Sequence, residues 1–269
     1  MVDQVANFVG SIPDHYDKGL GPIIFADYAA DIDQRAVKRG PKRVLEIAAG
    51  TGIVTRQLRD HLPTDAHLTA SDLFAPMLEV AQQKFQPTEQ VVFQPADAMA
   101  LPFNDASFDT VVCQFGLMFF PDKAKSLLEV HRVLSPGGTY LFSVWDSHRH
   151  NPYGEITHRV IGSFFPDDPP QFFTVPFSCH QIDPLKESLG DAGFGDIKIE
   201  VLRRIKVIPD LRAFAMGLVL GNPIVDQIRA RGDIDPMVIV DSLFWELERA
   251  FGSAPAQMPL QAIIFVACT

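Results

Sequence analysis

The chain has 269 residues, 47% of them hydrophobic and 21% charged, with a formal net charge of −10. That length allows one large domain or one domain with a sizeable insertion, and a core that needs no staples. The acidic balance opposes non-specific binding to phosphate backbones, and no apolar run approaches the ~18 residues that a membrane span needs. The three cysteines, Cys113, Cys179 and Cys268, are far apart and odd in number. They form neither a zinc pattern nor a disulfide framework, which favours a reducing, cytoplasmic setting. Met1 to Gly10 carries Asp3 and no basic stretch, so it does not read as a signal peptide. The one basic cluster, Arg203, Arg204 and Lys206, would be split between the two faces of a strand and reads as a solvated edge.

From Val44 onward the pattern alternates. Val44 to Ala48 reads as a strand, Ile53 to His61 as a helix, His67 to Ser71 as a strand and Pro76 to Phe85 as a helix. Val91 to Gln94 and Phe108 to Gln114 are further strands; Lys123 to Leu134 is a helix that stops at the breaker Ser135-Pro136-Gly137-Gly138. Thr139 to Trp145 is a fifth strand. Strands alternating with helices imply a parallel sheet with right-handed crossovers and helices on both faces. Beyond Asp146 the rhythm changes. Residues 148–176 are rich in Pro and Phe, Asp183 to Gly193 is a short helix, and Ile197 to Val207 alternates like a strand. Leu211 to Arg231 and Pro236 to Phe251 read as helices, and Leu260 to Cys268 as a last buried strand. The expected division is a sheet domain at 40–146 plus 178–207 and 259–269. Segments 1–39, 147–177 and 208–258 would form a mostly helical lid over its C-terminal edge, where ligands of open α/β sheets bind.

The chemistry concentrates in "VLEIAAGTGIVT", Val44 to Thr55. Gly50-Thr51-Gly52 at a strand-to-helix turn lets backbone approach a ligand closely, and the N–H groups of the next helix favour an anionic group. The plainer reading is a tight turn without a ligand. It leaves Glu46 unexplained, because a buried carboxylate is costly unless paired. Asp72 follows the second strand, where an acid suits ribose hydroxyls or, more simply, caps the next helix. Asp97-Ala98 follows the third strand, placed to read an adenine. In that order the three pieces describe a nucleoside site. The third glycine of a dinucleotide fingerprint is replaced by Thr55, and Glu46 would repel a pyrophosphate. Adenosine with a charged amino-acid tail fits both halves.

With "LTASDLFAPMLEVA", "FQPADAMALPFNDASFDTVVCQFGLMFFPD" and "EVHRVLSPGGTYLFSVW", the stretch resembles the successive motifs of class I S-adenosylmethionine-dependent methyltransferases. The subgroup it looks most like includes the ubiquinone/menaquinone-type and other small-molecule enzymes. The resemblance covers Lys42 to Trp145. It implies a Rossmann-like, seven-stranded α/β sheet of order 3-2-1-4-5-7-6 with strand seven antiparallel, S-adenosyl-L-methionine as cofactor and S-adenosyl-L-homocysteine as product. Carried over residue by residue, it implies that Gly50 and Gly52 approach the methionine portion and that Asp72 holds the ribose; Glu46 and Ala48, beside the turn, are counted among the cofactor-binding residues. Leu73 and Met77 would flank the adenine or ribose, and Asp97 and Ala98 read the adenine. Gln114 and Phe115 would sit beside the transferable methyl, with Tyr16 closing over the cofactor carboxylate. Ala48 stands where the family usually has Gly, and Met118 where many relatives have His.

The expected reaction is methyl transfer to O, N or C of a small, apolar or aromatic molecule. His15 and His148 are the candidate general bases, with His150 a weaker one. Trp145, Phe119 and Phe172 are candidate acceptor contacts, and Phe164, Phe165, Phe173 and Phe177 extend an aromatic roof. No metal site, nucleic-acid partner or membrane span is expected; a homodimer is compatible with the apolar content of the C-terminal inserts. Two other readings stay open: a non-catalytic module that binds the same cofactor, and a dinucleotide-dependent oxidoreductase.

Overall fold

The computed structural model describes residues 7–269, so the first part of the Met1 to Gly10 reading falls outside the described residues. One seven-stranded sheet organises the chain, in the order β3-β2-β1-β4-β5-β7-β6. Its strands are β1 (Arg43–Glu46), β2 (His67–Asp72), β3 (Val91–Pro95), β4 (Phe108–Gln114), β5 (Leu134–Trp145), β6 (Lys198–Ile208) and β7 (Ala256–Cys268). β1 to β5 pair in parallel, whereas β7 runs antiparallel to both β5 and β6. This is the topology that the resemblance implies.

Ten α-helices follow in chain order among the described residues: α1 (Ile12–His15), α2 (Ala26–Val37), α3 (Ile53–His61), α4 (Ala75–Gln82), α5 (Lys123–Val133), α6 (Pro152–Ser163), α7 (Ile182–Asp191), α8 (Leu211–Leu220), α9 (Ile224–Arg229) and α10 (Pro236–Phe251). Tyr16–Phe25, between α1 and α2, winds as a π-helix.

The period of two along each strand sends alternate side chains to opposite faces. Val44, Val112 and Leu141 pack with Ala29, Ile32 and Ala36 of α2 and with Val54 and Leu58 of α3. Leu45, Val111, Tyr140 and Phe142 pack on the other face with Leu127, Val130 and Val133 of α5 and with Leu185 and Leu189 of α7. Both faces are therefore covered, as a parallel sheet requires.

Three elements differ from the sequence reading. Ser135-Pro136-Gly137-Gly138 does not precede β5 but lies inside it as an irregularity: the pairing jumps from Phe108↔Leu134 to Thr110↔Thr139, and Gly137 has φ +75°. The span 211–231 is two helices, because Gly221-Asn222-Pro223 breaks the ladder between α8 and α9. The Pro- and Phe-rich span holds a full helix, α6, whose Pro152 occupies the first turn, where a missing N–H costs nothing.

The segments assigned to a lid divide. α2 belongs to the sheet's own layers, packed on α3 and β4. The π-helix, α6, α8, α9 and α10 pack on one another and form a separate helical layer. The π-helix and α8 meet backbone to backbone: a Cβ on Gly19 would stand 2.7 Å from the Cα of Gly217, and one on Gly217 would stand 2.9 Å from the carbonyl carbon of Gly19. Only glycine permits that approach.

Candidate functional site

The end of β1 is built to bring backbone close to something. Ile47 N–H donates to the Val112 carbonyl at 2.9 Å and Ala49 N–H to the Ser71 carbonyl at 2.9 Å, which spreads the turn across three strands. Ala48, Gly50 and Gly52 have φ of +52°, +56° and +79°. Gly52 then starts α3; a Cβ there would stand 2.8 Å from the Cβ of Ala81. Ala48 is the residue in this run that carries a side chain in the left-handed region, at an energetic cost.

Glu46 and Asp72 organise the turn. Glu46 is only 2% exposed, and its Oε2 accepts the Thr55 hydroxyl at 2.6 Å. Burial pushes its carboxyl up to about 8; the Thr55 hydrogen bond works against this, and the nearby Asp72 charge adds to it. Asp72 accepts the Gly50 N–H on Oδ2 at 2.8 Å and the Phe74 N–H on Oδ1 at 2.9 Å. Burial raises its pKa as well, opposed by the backbone N–H groups of Phe74, Gly50 and Leu73. The acid after β2 thus braces the glycine turn after β1 directly.

A cleft opens here, lined by Tyr16, Phe25, Glu46, Ala48, Gly50, Thr51 and Gln114 among others. Two polar atoms, Thr51 Oγ1 and Gln114 Oε1, are buried without a hydrogen-bond partner among the described residues. Buried polar atoms left in that state call for an explanation.

Beside the cleft lies a second cavity, of about 470 Å³ including the part open to solvent. Tyr16 and Phe25, stacked with centroids 5.0 Å apart, line both spaces. Phe115, at the end of β4, stacks on Trp145 at the end of β5, with centroids 3.9 Å apart and planes 6° apart. Phe115 holds φ +52°, an uncommon conformation for a bulky residue. The helical layer closes the cavity with Tyr153, Phe172, Phe173, Phe177, Leu218 and Asn222. Among the described residues, no charged side chain and no histidine lines it. Burial raises the pKa of Tyr16 and Tyr153 far above the ordinary phenol value, so both keep their protons.

The structure sorts the sequence candidates. Tyr16, Glu46, Ala48, Gly50 and Gln114 come together around the cleft. Met77 is buried, with its Cε 3.4 Å from where a Gly50 Cβ would stand, and Leu73 is 58% exposed nearby in sequence. Asp97 Oδ1 accepts the Met99 N–H at 2.8 Å and so shapes the loop after β3, while Ala98 is buried in the core. Phe115, Phe119, Trp145 and Phe172 line the aromatic cavity.

His15 and His148 line neither space. His148 Nε2 lies 3.1 Å from the Phe173 carbonyl, its ring packs on Phe177 at 4.3 Å, and burial lowers its pKa. Its place is behind the aromatic wall.

Sequence reading passed over Phe25, Leu20, Ile24 and Asn222. The i, i+4 spacing of Leu20 and Ile24 was the available signal, masked by Gly19, Gly21 and Pro22 in the same segment.

Sheet order, the antiparallel β7 and a glycine turn braced by an acid after β2 define a class I Rossmann-like methyltransferase fold. Residues 45–142 match the family described as "Methyltransferase domain". It is 42% identical over 104 residues to the demethylmenaquinone methyltransferase of Thermus thermophilus, covering 38% of this chain and 47% of that one. It is 28% identical over 203 residues to the demethylmenaquinone methyltransferase of Porphyromonas gingivalis, covering 70% and 82%. The match spans about half the length of the first of these relatives. Among solved structures, the YcgJ protein of Bacillus subtilis superposes with a TM-score of 0.57 at 20% identity, over 90% of this chain and 98% of that one, which speaks for the fold. No helix among the described residues is long and apolar enough to cross a membrane.

Proposed function

We propose that the protein transfers a methyl group from S-adenosylmethionine to a small, uncharged aromatic molecule. One observation carries the reading: an aromatic cavity without charged residues adjoins the glycine-turn cleft and shares the Tyr16–Phe25 wall with it. The cleft's residues fit the cofactor. Glu46 and the unpartnered Gln114 Oε1 are acceptors for an ammonium group, Thr51 Oγ1 is a partner for a carboxylate, and the left-handed turn allows backbone contact. Asp72 would reach ribose hydroxyls only by sharing its carboxylate with Gly50 and Phe74.

The bound cofactor would supply the electrophilic sulfonium methyl. The chain's part is alignment and exclusion of water. Phe115 and Trp145 offer a flat face for an aromatic acceptor to lie against, and edge or face contacts of this kind contribute about 0.5–1.5 kcal/mol each beyond area burial. With neither carboxylate nor imidazole among the described residues of the lining, the cavity suits acceptors that are nucleophilic without a protein base. The relatives named demethylmenaquinone methyltransferase make a quinol-like ring the first acceptor to test. The absence of charge in the cavity and the chain's net charge of −10 favour a small molecule over a nucleic acid.

The test is calorimetric titration with S-adenosylhomocysteine, alongside labelled-methyl turnover on a panel of reduced quinones and phenols. Binding together with turnover on at least one aromatic acceptor supports the proposal. Binding without turnover on any acceptor leaves a cofactor-binding module, and absence of binding removes the proposal.

A further inference from the structure

Asn222 is the odd member of the aromatic cavity. It lies in the break between α8 and α9, is only 7% exposed, and lines the cavity among phenylalanines and leucines. Its amide nitrogen donates to the Leu218 carbonyl at 3.1 Å and, more weakly, to the Gly217 carbonyl at 3.5 Å. Carbonyls accept and never donate, so this contact fixes which end of the amide is nitrogen. The nitrogen helps close the end of α8 by donating to the Leu218 carbonyl; the Gly217 carbonyl already accepts the Gly221 N–H at 2.9 Å. The other end, Oδ1, has no hydrogen-bond partner among the described residues, and it does not number among the fully enclosed orphan atoms. It is therefore an acceptor without a partner in a lining whose other polar side-chain groups are the Tyr16 and Tyr153 hydroxyls and the Trp145 indole N–H.

The remaining polar groups there behave differently. The hydroxyls of Tyr16 and Tyr153, kept protonated by burial, can both donate and accept, so they do not discriminate. Asn222 Oδ1 can only accept. A ligand that fills the cavity without offering it an N–H or O–H leaves a desolvated acceptor unpaired, and such omissions discriminate more strongly than a missing methylene does.

We infer that Asn222 is a specificity-determining residue, and that the acceptor this cavity takes is a neutral aromatic carrying a hydroxyl or N–H group that donates to Asn222 Oδ1. The inference rests on the reading of the cavity as the acceptor site. It makes Asn222 a positioning residue, which fixes the in-plane rotation of the ring between Phe115 and the helical layer.

The experiment compares two probes of similar shape, 2-naphthol and 2-methylnaphthalene, by ligand-observed magnetic resonance on the full chain saturated with S-adenosylhomocysteine. The wild-type protein should hold the naphthol about tenfold more tightly, the factor that follows from one buried hydrogen bond left unmade. Asn222→Leu should erase the difference by weakening the naphthol alone, while Tyr153→Phe should preserve it. A uniform loss of stability in Asn222→Leu would move both probes together, so the ratio reports specificity rather than folding. Equal affinity of the wild-type protein for both probes overturns the inference and leaves the proposed activity standing. Failure to bind either probe, with S-adenosylhomocysteine still bound, overturns the inference together with the assignment of the cavity.

Discussion

The methyl group of Ala48 occupies the space that a side chain on Gly116 would need: a Cβ built on Gly116 stands 2.5 Å from the Cβ of Ala48. Ala48 lies in the turn after β1, and Gly116 follows β4, the adjacent strand. The two positions therefore trade volume. Gly116→Ala should destabilise by about 1–3 kcal/mol, the usual cost of overpacking. Ala48→Gly should be neutral or stabilising, because φ +52° suits glycine. The double variant should recover part of the loss but not all of it, since Cys113 Sγ also lies 2.8 Å from the same point. Denaturant melts of the four proteins give the coupling, and strict additivity would show that the contact is unimportant.

Glu46 sets a pH signature. Its folded pKa of about 8 lies above the ordinary 4.5 because of burial. Between those values the folded chain holds a proton that the unfolded chain has released, so this group's contribution to stability falls as pH rises from 4.5 to 8 and is flat beyond. Glu46→Gln should flatten that slope and gain on the wild type at pH 9. An ammonium group seated against Glu46 requires the charged carboxylate. Calorimetry at pH 7 in buffers of differing ionisation enthalpy should therefore show proton release as S-adenosylhomocysteine binds, and none in Glu46→Gln.

Asp72 braces Gly50 and Phe74, and on the proposed reading it would share that carboxylate with the cofactor's ribose. Asp72→Asn keeps the shape, but its NH₂ end meets an N–H donor on one side. Hydrogen bonds to a charged group contribute about 1.5–3 kcal/mol. Affinity for S-adenosylhomocysteine should accordingly fall by about ten- to a hundredfold, with a measurable drop in Tm. Unchanged affinity would place the ribose elsewhere.

The glycine crossing of the π-helix and α8 should be intolerant of any side chain. Gly217→Ala should cost about 1–3 kcal/mol and loosen the helical layer before the sheet. Limited proteolysis would then cut within residues 8–25 and 208–234 at protease levels that leave 43–145 intact. Cleavage spread evenly over the chain would instead mean that the layer and the sheet unfold together.

His148→Ala tests the histidine that sequence reading put forward as a base. It stands behind the aromatic wall, bonded to the Phe173 carbonyl. Turnover should stay within a few-fold of wild type, with an unchanged pH profile and a lower Tm. Loss of the profile's basic or acidic limb in this variant would return His148 to the chemistry.

The parts of the fold visible from the sequence are those that rest on local pattern. α3 and α10 span the residues read for them, because capping and periodicity act over a few residues. The acids at 46 and 72 were visible because each ends a strand. The π-helix was not, since Gly19 and Gly21 argue against any helix until Gly217 is seen to demand the smallness of Gly19. Phe115 resembled a cofactor contact by its position after Gln114; its stacking on Trp145 depends on the pairing of β4 with β5, which no short window contains. Asn222 fell inside the span 211–231 read as one helix, and only the enclosure around it gives its oxygen a meaning.

Tyr16 and Phe25 wall both the cleft and the cavity. A ligand that moved either ring from one side would reshape a wall of the other space, which would link the two ligands energetically. If cofactor binding seats Tyr16 against Phe25 and thereby tightens the hold on the acceptor, the acceptor must tighten the hold on the cofactor by the same factor. The two-ring partition would thus make the strength of that coupling a property of one short π-helical segment of the chain, rather than of either pocket alone.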